Sequence, residues 1–188
     1  MQKSRLEGFS DGFFSIIITI MVLEIKTPPT GNWSEIANSD FLQTIFAYII
    51  SFFLVTSFWI SHHQIVTNLK KVDSNFSWLN NFALLPISFV PFTTAWVDQD
   101  PGSQAPAILY IGVYLLTVLA LYFLSKAAVK DGQRENVISQ KLNRLRCWLV
   151  VVLLIGAVIA LLLPQIATLL VLGCSILWFI IERQTRKK

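Results

Sequence analysis

The chain has 188 residues, of which 54% are hydrophobic and only 14% are charged. Soluble domains of this length contain roughly a quarter charged residues, and the mean hydropathy is +0.61, so we expect most of the chain to lie in a lipid bilayer. The net charge of +4 does not indicate nucleic-acid binding, because the basic residues fall in loops and at the ends of apolar segments.

The first apolar segment, Arg5–Ile25, is long enough to cross a membrane, which takes about 17 to 25 mostly apolar residues. Its basic start resembles that of a secretory signal peptide. However, Glu24 and Lys26 stand where a cleavage site would need small residues. We therefore predict that this segment is retained as the first membrane helix.

Five further apolar segments follow along the chain. Their predicted bounds are Phe41–Val66, Phe76–Val97, Pro106–Ser125, Leu145–Leu163 and Gln165–Ile181. Pro86 and Pro91 should kink the third span, and Pro106 suits the first turn of the fourth. Pro164 divides the last two spans, which should form a hairpin with almost no loop. The sequence thus predicts one all-α domain over residues 1–188, a six-helix membrane bundle.

The basic residues indicate how this bundle is oriented. Fourteen of the fifteen fall on one side of it, and only Lys26 falls on the other. The fourteen are Lys3, Arg5, Lys70, Lys71, Lys126, Lys130, Arg134, Lys141, Arg144, Arg146, Arg183, Arg186, Lys187 and Lys188. Because cytoplasmic loops carry an excess of Lys and Arg, we predict a multi-pass protein with both termini in the cytoplasm.

One face of the first span is continuously apolar or small. On an ideal helix with 100° per residue, four residues fall within about 60° of one another. These are Gly12, Ile16, Thr19 and Leu23, with Ile20 on the flank. Asp11 points elsewhere, and an ionisable residue in a membrane helix should face protein or water. The stripe is therefore free to face lipid or a central axis.

A set of polar residues lies at a similar depth in the first three spans. Its members are Ser10, Asp11, His62, His63, Asn80 and Asn81, with Trp59 one turn away. Polar side chains of this kind often hold helices together by hydrogen bonds. Two histidines and a carboxylate could also bind a metal ion or protons. Adjacent histidines on a helix point about 100° apart, so they do not easily share one ion. We therefore favour helix–helix contact and predict no metal or cofactor.

The run RLEGFSDG, which contains Arg5, Phe9, Ser10 and Asp11, resembles the R-x-x-x-F-S-D signature of the endosomal and lysosomal potassium channel family, in particular its bacterial branch. The resemblance continues through SIIITIMVLEIKTP, the His62–His63 pair at the end of the second span, and the six-span layout. It therefore covers essentially the whole chain.

The resemblance implies a homotetramer in the bacterial inner (plasma) membrane that conducts potassium. In this family the first helix lines a central pore and its narrowest ring is an isoleucine, which corresponds to Ile16. The next pore levels correspond to Thr19 or Ile20 and then to Leu23. Arg5, Ser10 and Asp11 would brace the pore helix against its neighbours.

The sequence lacks a T-V-G-Y-G segment, so the carbonyl-lined filter of ordinary potassium channels is not expected. A hydrophobic constriction instead reshapes ion hydration and can gate by dewetting. The Thr19 hydroxyl is the nearest oxygen that could favour one cation.

Three other functions are compatible with a membrane bundle. A secondary transporter of a small cation or solute is the main alternative, although it would normally have charged or unwound sites near the midplane and an inverted repeat. A membrane enzyme would need a nucleophile, a glycine-rich loop or metal spacing beside Asp11 and the histidines, and we find none. A purely structural subunit stays open.

Overall fold

A computed structural model describes residues 2–67, 69, 72–130 and 137–186, and within these ranges every regular element is helical. The helices are α1 (Lys3–Leu23), α2 (Trp33–Ile36), α3 (Ser39–Thr67), α4 (Ser74–Leu84), α5 (Val90–Gln99), α6 (Gln104–Lys130), α7 (Val137–Ala160) and α8 (Ile166–Arg186). A 3₁₀ turn, Pro86–Phe89, connects α4 to α5. The all-α class expected from the sequence is confirmed.

Five helices in the described part of the chain are long and apolar enough to cross a membrane: α1, α3, α6, α7 and α8. The short helix α2 lies in the segment between the first two of them and was not predicted. Pro106 lies in the first turn of α6, and Pro164 lies in the short connection between α7 and α8. Both predicted proline positions are confirmed.

The third predicted span is not a continuous helix, which corrects the expectation of a merely kinked one. It consists of α4, the 3₁₀ turn and α5, and the change from α to 3₁₀ geometry falls at Pro86. Proline has no N–H to donate, and its ring clashes with the carbonyl of the residue four positions earlier. The α4 hydrogen bonds therefore cannot continue through Pro86.

Contacts between helix ends establish the direction of each segment. Lys3 at the start of α1 donates a hydrogen bond to the Thr67 carbonyl at the end of α3, so these two helices are antiparallel. The hydroxyl of Thr44, near the start of α3, lies 2.6 Å from a carboxylate oxygen of Asp98, near the end of α5. The segment from Ser74 to Gln99 therefore runs the length of the bundle, between the same two ends as α3.

The last three helices continue this alternation. Gln104, which begins α6, donates a hydrogen bond of 2.7 Å to the Leu161 carbonyl just after α7. Gln64, near the end of α3, donates to Glu182, near the end of α8. The start of α1 and the end of α8 thus lie at the same end of the bundle.

Helix α7 begins at Val137, earlier than the predicted Leu145, because the Gln, Lys and Arg residues before the apolar run are good helix formers. Lys141 and Arg144 are therefore helical residues and not part of a loop. Several other residues used to orient the bundle lie outside the described residues: Lys70, Lys71, Arg134, Lys187 and Lys188.

Helix α6 is central in the bundle and packs against α3, α4, α5, α7 and α8. Its Tyr110 and Tyr114 are among the largest fully buried side chains. By contrast, α1 packs against α3 and α5, so it lies at the edge of the subunit. This position leaves one face of α1 without cover from the described part of the chain.

Candidate functional site

Helix α1 has two faces of different exposure. Its buried face packs against α3 and α5 and is bonded to α4 at Ser10. It consists of Leu6, Ser10, Phe14, Ile17 and Met21. Successive members are three or four residues apart, which is the spacing of one face of an α-helix. The buried face therefore fixes how α1 is rotated in the subunit.

The residues of the predicted stripe are all on the exposed face. Ile16 is 57% exposed, Ile20 39% and Leu23 79%, whereas Ile17 is only 6% exposed. Gly12 and Thr19 are also exposed, and a Cβ at Gly12 would meet nothing within 4 Å. The predicted stripe from Gly12 to Leu23 is thus uncovered, and Thr19 is its one polar member.

The Thr19 hydroxyl is bonded within its own helix. It donates to the carbonyls of Ser15 at 3.0 Å and of Ile16 at 2.9 Å. A hydroxyl has one hydrogen to donate and two lone pairs that accept. Because its hydrogen is directed at the backbone, the Thr19 oxygen keeps lone pairs that can face a cation on the exposed side.

A buried chain of hydrogen bonds connects α1, α4 and α3. Asn80 Nδ2 donates to Ser10 Oγ at 3.2 Å, and Asn80 Oδ1 lies 2.7 Å from His62 Nε2. Since the amide nitrogen of Asn80 is used on Ser10, its oxygen is the acceptor and His62 Nε2 holds the proton. All three side chains are at most 1% exposed, so a lost partner could not be replaced by water.

A second set of contacts connects Asp11 to α3. Trp59 Nε1 donates to Asp11 Oδ1 at 2.8 Å, and His63 Nδ1 lies 3.9 Å from the same oxygen. The rings of Trp59 and His63 are 5.8 Å apart. The Asp11 side chain is 44% exposed, so this carboxylate lies at the border of the subunit and not in its core.

Three predicted site residues do not join these contacts. Asn81 is exposed, because it points about 100° away from the buried Asn80 on the same helix, and its part in the polar layer stays a prediction. Arg5 and Phe9 are also exposed, and they project from the same side of α1 as Ile16. Among the described residues the Arg5 side chain makes no hydrogen bond or ion pair, and the bracing role of Arg5 and Phe9 stays a prediction.

A buried ionic cluster between α3, α7 and α8 was missed at the sequence level. Arg146 is 3% exposed and Glu182 is 4% exposed. The Arg146 guanidinium donates to Asn143 Oδ1 at 2.6 Å and to Ser61 Oγ at 2.7 Å, and lies 5.4 Å from the ring of Trp178. Glu182 attracts it electrostatically. The available signal was a charged residue inside or next to a span, but Arg146 was counted only as a basic residue at a helix end.

Among the described residues, no three His, Cys, Asp or Glu side chains are arranged to hold a metal ion. The polar side chains bond to one another, as helix-joining groups do, and the apolar face of α1 is left without cover. A bundle of apolar helices with polar contacts buried at membrane depth is the architecture of a polytopic membrane protein.

Comparison with known proteins assigns the family. The family model described as endosomal/lysosomal potassium channel TMEM175 matches residues 5–91. A potassium channel of Chamaesiphon minutus is 30% identical over 150 residues, which are 76% of this chain and 72% of that protein. The chain belongs to the TMEM175 family, which is a family of ion channels and not of enzymes.

Other relatives extend this comparison. A potassium channel of Chryseobacterium sp. (strain P1-3) is 29% identical over 100% of this chain and 97% of that protein. The endosomal/lysosomal proton channel TMEM175 of Gallus gallus is 28% identical over 62% of this chain and 23% of its own length. The crystal structure of a lysosomal potassium-selective channel TMEM175 homolog from Chamaesiphon minutus has the same fold, with a TM-score of 0.78 over 96% of this chain and 97% of that one at 23% identity.

Proposed function

We propose that the whole chain is one six-span subunit of a homotetrameric, potassium-selective channel. In this proposal α1 lines the pore, and its constriction consists of Ile16, Thr19, Ile20 and Leu23. The permeant ion is potassium, and no cofactor is needed. Membership of an ion-channel family and the potassium channels among the bacterial relatives support this reading.

The observation that carries the proposal is the uncovered face of α1. Ile16 and Leu23 are more than half exposed, while the opposite face of the same helix is buried against α3 and α5. One such helix cannot enclose a pore, but several copies related by a rotation axis can. Exposed apolar residues could also face lipid. Gly12, which has no side chain, and the hydroxyl of Thr19 lie on the same exposed face, where they would leave room for an ion and offer it an oxygen.

The proposed pore selects ions without a carbonyl filter. A ring of Ile16 side chains offers no oxygen to replace hydration water, so an ion crosses it with its water distorted or partly removed. One turn further along the helix, the Thr19 oxygens would offer lone pairs to the partly dehydrated ion. Potassium holds its water less tightly than sodium, so this combination favours potassium.

The proposed topology has six crossings and both termini in the cytoplasm of a bacterial inner membrane. The broken segment from Ser74 to Gln99 supplies the sixth crossing, since it runs between the same two ends of the bundle as α3. Broken helices are tolerated at membrane depth where neighbouring helices cover them, and α4 and α5 both pack against α6. The excess of basic residues at the end that holds both termini supports the cytoplasmic assignment.

Single-channel recording tests the proposal. The purified protein is reconstituted into planar bilayers with potassium chloride on one side and sodium chloride on the other. We expect unitary currents whose reversal potential favours potassium. Proton conduction is a specific alternative, because the Gallus gallus relative is described as a proton channel. A pH gradient under symmetrical potassium chloride shifts the reversal potential only if protons are conducted. Solute-coupled flux without unitary current would indicate a transporter, and no flux at all would contradict transport altogether.

A further inference from the structure

One turn of α3, Trp59–Gln64, is held by two different neighbours on opposite sides. On one side the Trp59 indole donates to Asp11 of α1. On the other side the Ser61 hydroxyl accepts from the Arg146 guanidinium of α7. Two residues two positions apart point about 160° away from each other on an α-helix. The same turn therefore connects the proposed pore helix to a helix that does not belong to the pore.

The contact of this turn with α7 and α8 is made by groups that are costly to bury. Arg146 and Glu182 are both almost fully buried, and each has a polar partner on α3, Ser61 for the first and Gln64 for the second. Burying a charged group is destabilising unless an opposite charge lies nearby and its hydrogen bonds are made. Charged residues inside membrane bundles are rare and generally mark function. The cluster therefore calls for a role beyond packing.

The guanidinium of Arg146 does not have the space of a ligand site, although Glu182 also borders two larger cavities of about 280 and 310 Å³. The cavity beside the guanidinium, bordered by Ser57, Ser61 and Trp178, has a volume of about 10 Å³. A single water molecule needs at least about that much room. An ion with its hydration shell or an organic molecule would not fit beside the guanidinium, so Arg146 acts on its protein neighbours, among them Ser61 of α3.

We propose that Arg146 and Glu182 are positioning residues for the constriction on α1. They hold the turn Trp59–Gln64 in place from the side that faces α7 and α8, and Trp59 of this turn fixes the position of Asp11. Because Asp11 and Ile16 belong to one continuous helix, a displaced turn of α3 shifts Ile16 relative to the pore axis. This inference rests on the proposed channel function and adds a group that touches neither the ion nor α1.

Ser61→Ala is the sharpest test, because it removes the contact between the guanidinium and α3 and leaves every charge in place. Ser57→Ala is the matched control. Ser57 is also buried on α3, one turn earlier, beside the same small cavity, but its hydroxyl donates to the Leu54 carbonyl of its own helix at 2.7 Å. We expect Ser61→Ala to change the potassium-to-sodium permeability ratio at least about threefold, and Ser57→Ala to leave it unchanged.

A double-mutant cycle measures the coupling between two substitutions, which destabilisation alone would not change. Trp59→Phe removes the indole N–H from Asp11 but keeps an aromatic ring. If the turn transmits position, the effects of Ser61→Ala and Trp59→Phe on the permeability ratio are coupled, typically by about fivefold or more. Independent, multiplicative effects of the two substitutions would contradict the inference.

Charge removal provides a second comparison on α7. Arg146→Met should alter the permeability ratio, whereas Arg144→Met, which removes the same charge from an exposed position on the same helix, should not. If the wild-type protein is selective and Ser61→Ala behaves like Ser57→Ala, the positioning role is refuted and the channel stands. If the wild-type protein carries no cation current, the proposed function itself has failed.

Discussion

Replacing Ile16 with asparagine should raise the current through the proposed pore and lower its preference for potassium. Four Ile16 side chains on a central axis would form an apolar ring, where the water around an ion loses hydrogen-bond partners. Each unmet hydrogen bond costs about 1–3 kcal/mol. Four amides in the ring need to restore only one such bond to lower the barrier by about 1.4 kcal/mol, which corresponds to a tenfold higher current.

The exposure of Ile16 predicts that this change is compatible with folding. Truncating a buried isoleucine to alanine costs about 2–5 kcal/mol. Ile16 is 57% exposed in the subunit and Ile17 is 6% exposed, so Ile16→Ala should cost less than half as much as Ile17→Ala, roughly 1–2 kcal/mol. Ile18, which is partly buried and points about 160° away from Ile16, is the control: Ile18→Ala should show only a packing effect and no gain of current.

The assay is a comparison of unitary conductance and reversal potential in planar bilayers with potassium chloride opposed to sodium chloride. Wild type, Ile16→Asn, Ile16→Ala and Ile18→Ala are measured at matched protein content, and the tetramer fraction is checked by size-exclusion chromatography. If Ile16→Asn has the conductance and selectivity of the wild type, Ile16 does not belong to the constriction.

The remaining predictions concern assembly and stability. Native mass spectrometry in mild detergent should show a homotetramer, and a stable monomer or dimer would count against a pore lined by α1. Asn80→Ala should lower the midpoint of thermal unfolding more than Asp11→Ala, because Asn80 is fully buried with two partners whereas the Asp11 side chain is 44% exposed. We expect the free energy of unfolding to fall by about 2–4 kcal/mol for Asn80→Ala and by about 1.5 kcal/mol for Asp11→Ala. The reverse order would show that Asp11 is more deeply enclosed in the assembly. Gly156→Ala should weaken the α7–α8 hairpin, because a Cβ there would lie 2.1 Å from a methyl carbon of Leu170; adding Leu170→Ala should relieve part of the loss, and equal midpoints for Gly156→Ala and wild type would show that Leu170 simply changes rotamer.

Features that depend on periodicity along one helix could be predicted from the sequence. The rotation angles of Gly12, Ile16 and Leu23 follow from helix geometry alone, and the structure leaves all three exposed. Whether this face meets a pore axis stays a prediction, since it depends on how subunits associate. The bounds of the helices were harder to predict from the sequence. Helix α7 begins at Val137 because several of its first residues favour a helix although they are not apolar.

Features that depend on pairs of helices could be predicted only in part. The depths of Ser10, His62 and Asn80 along their helices indicated a shared polar layer, and these three residues do form one hydrogen-bonded chain. Depth does not fix rotation, however. Asn80 and Asn81 have the same depth, but only Asn80 faces the interior. Which of two neighbouring polar residues is buried follows from the contacts of α4 with its neighbours, and the sequence of one helix does not contain them.

Arg146 shows why charge counting and structure can diverge in a membrane protein. The rule that assigns Lys and Arg to the cytoplasmic side uses only their position along the chain, and Arg146 satisfies it while pointing into the bundle. The guanidinium can be buried because Asn143 supplies an acceptor one turn earlier on α7, and Ser61 supplies another from α3. Neither residue is distinctive by itself. The approach of Ser61 to the guanidinium depends on α3, which is distant in sequence from α7. A basic residue near the end of a span is therefore evidence for topology. The same residue can also be buried in the bundle with polar partners, as Arg146 is.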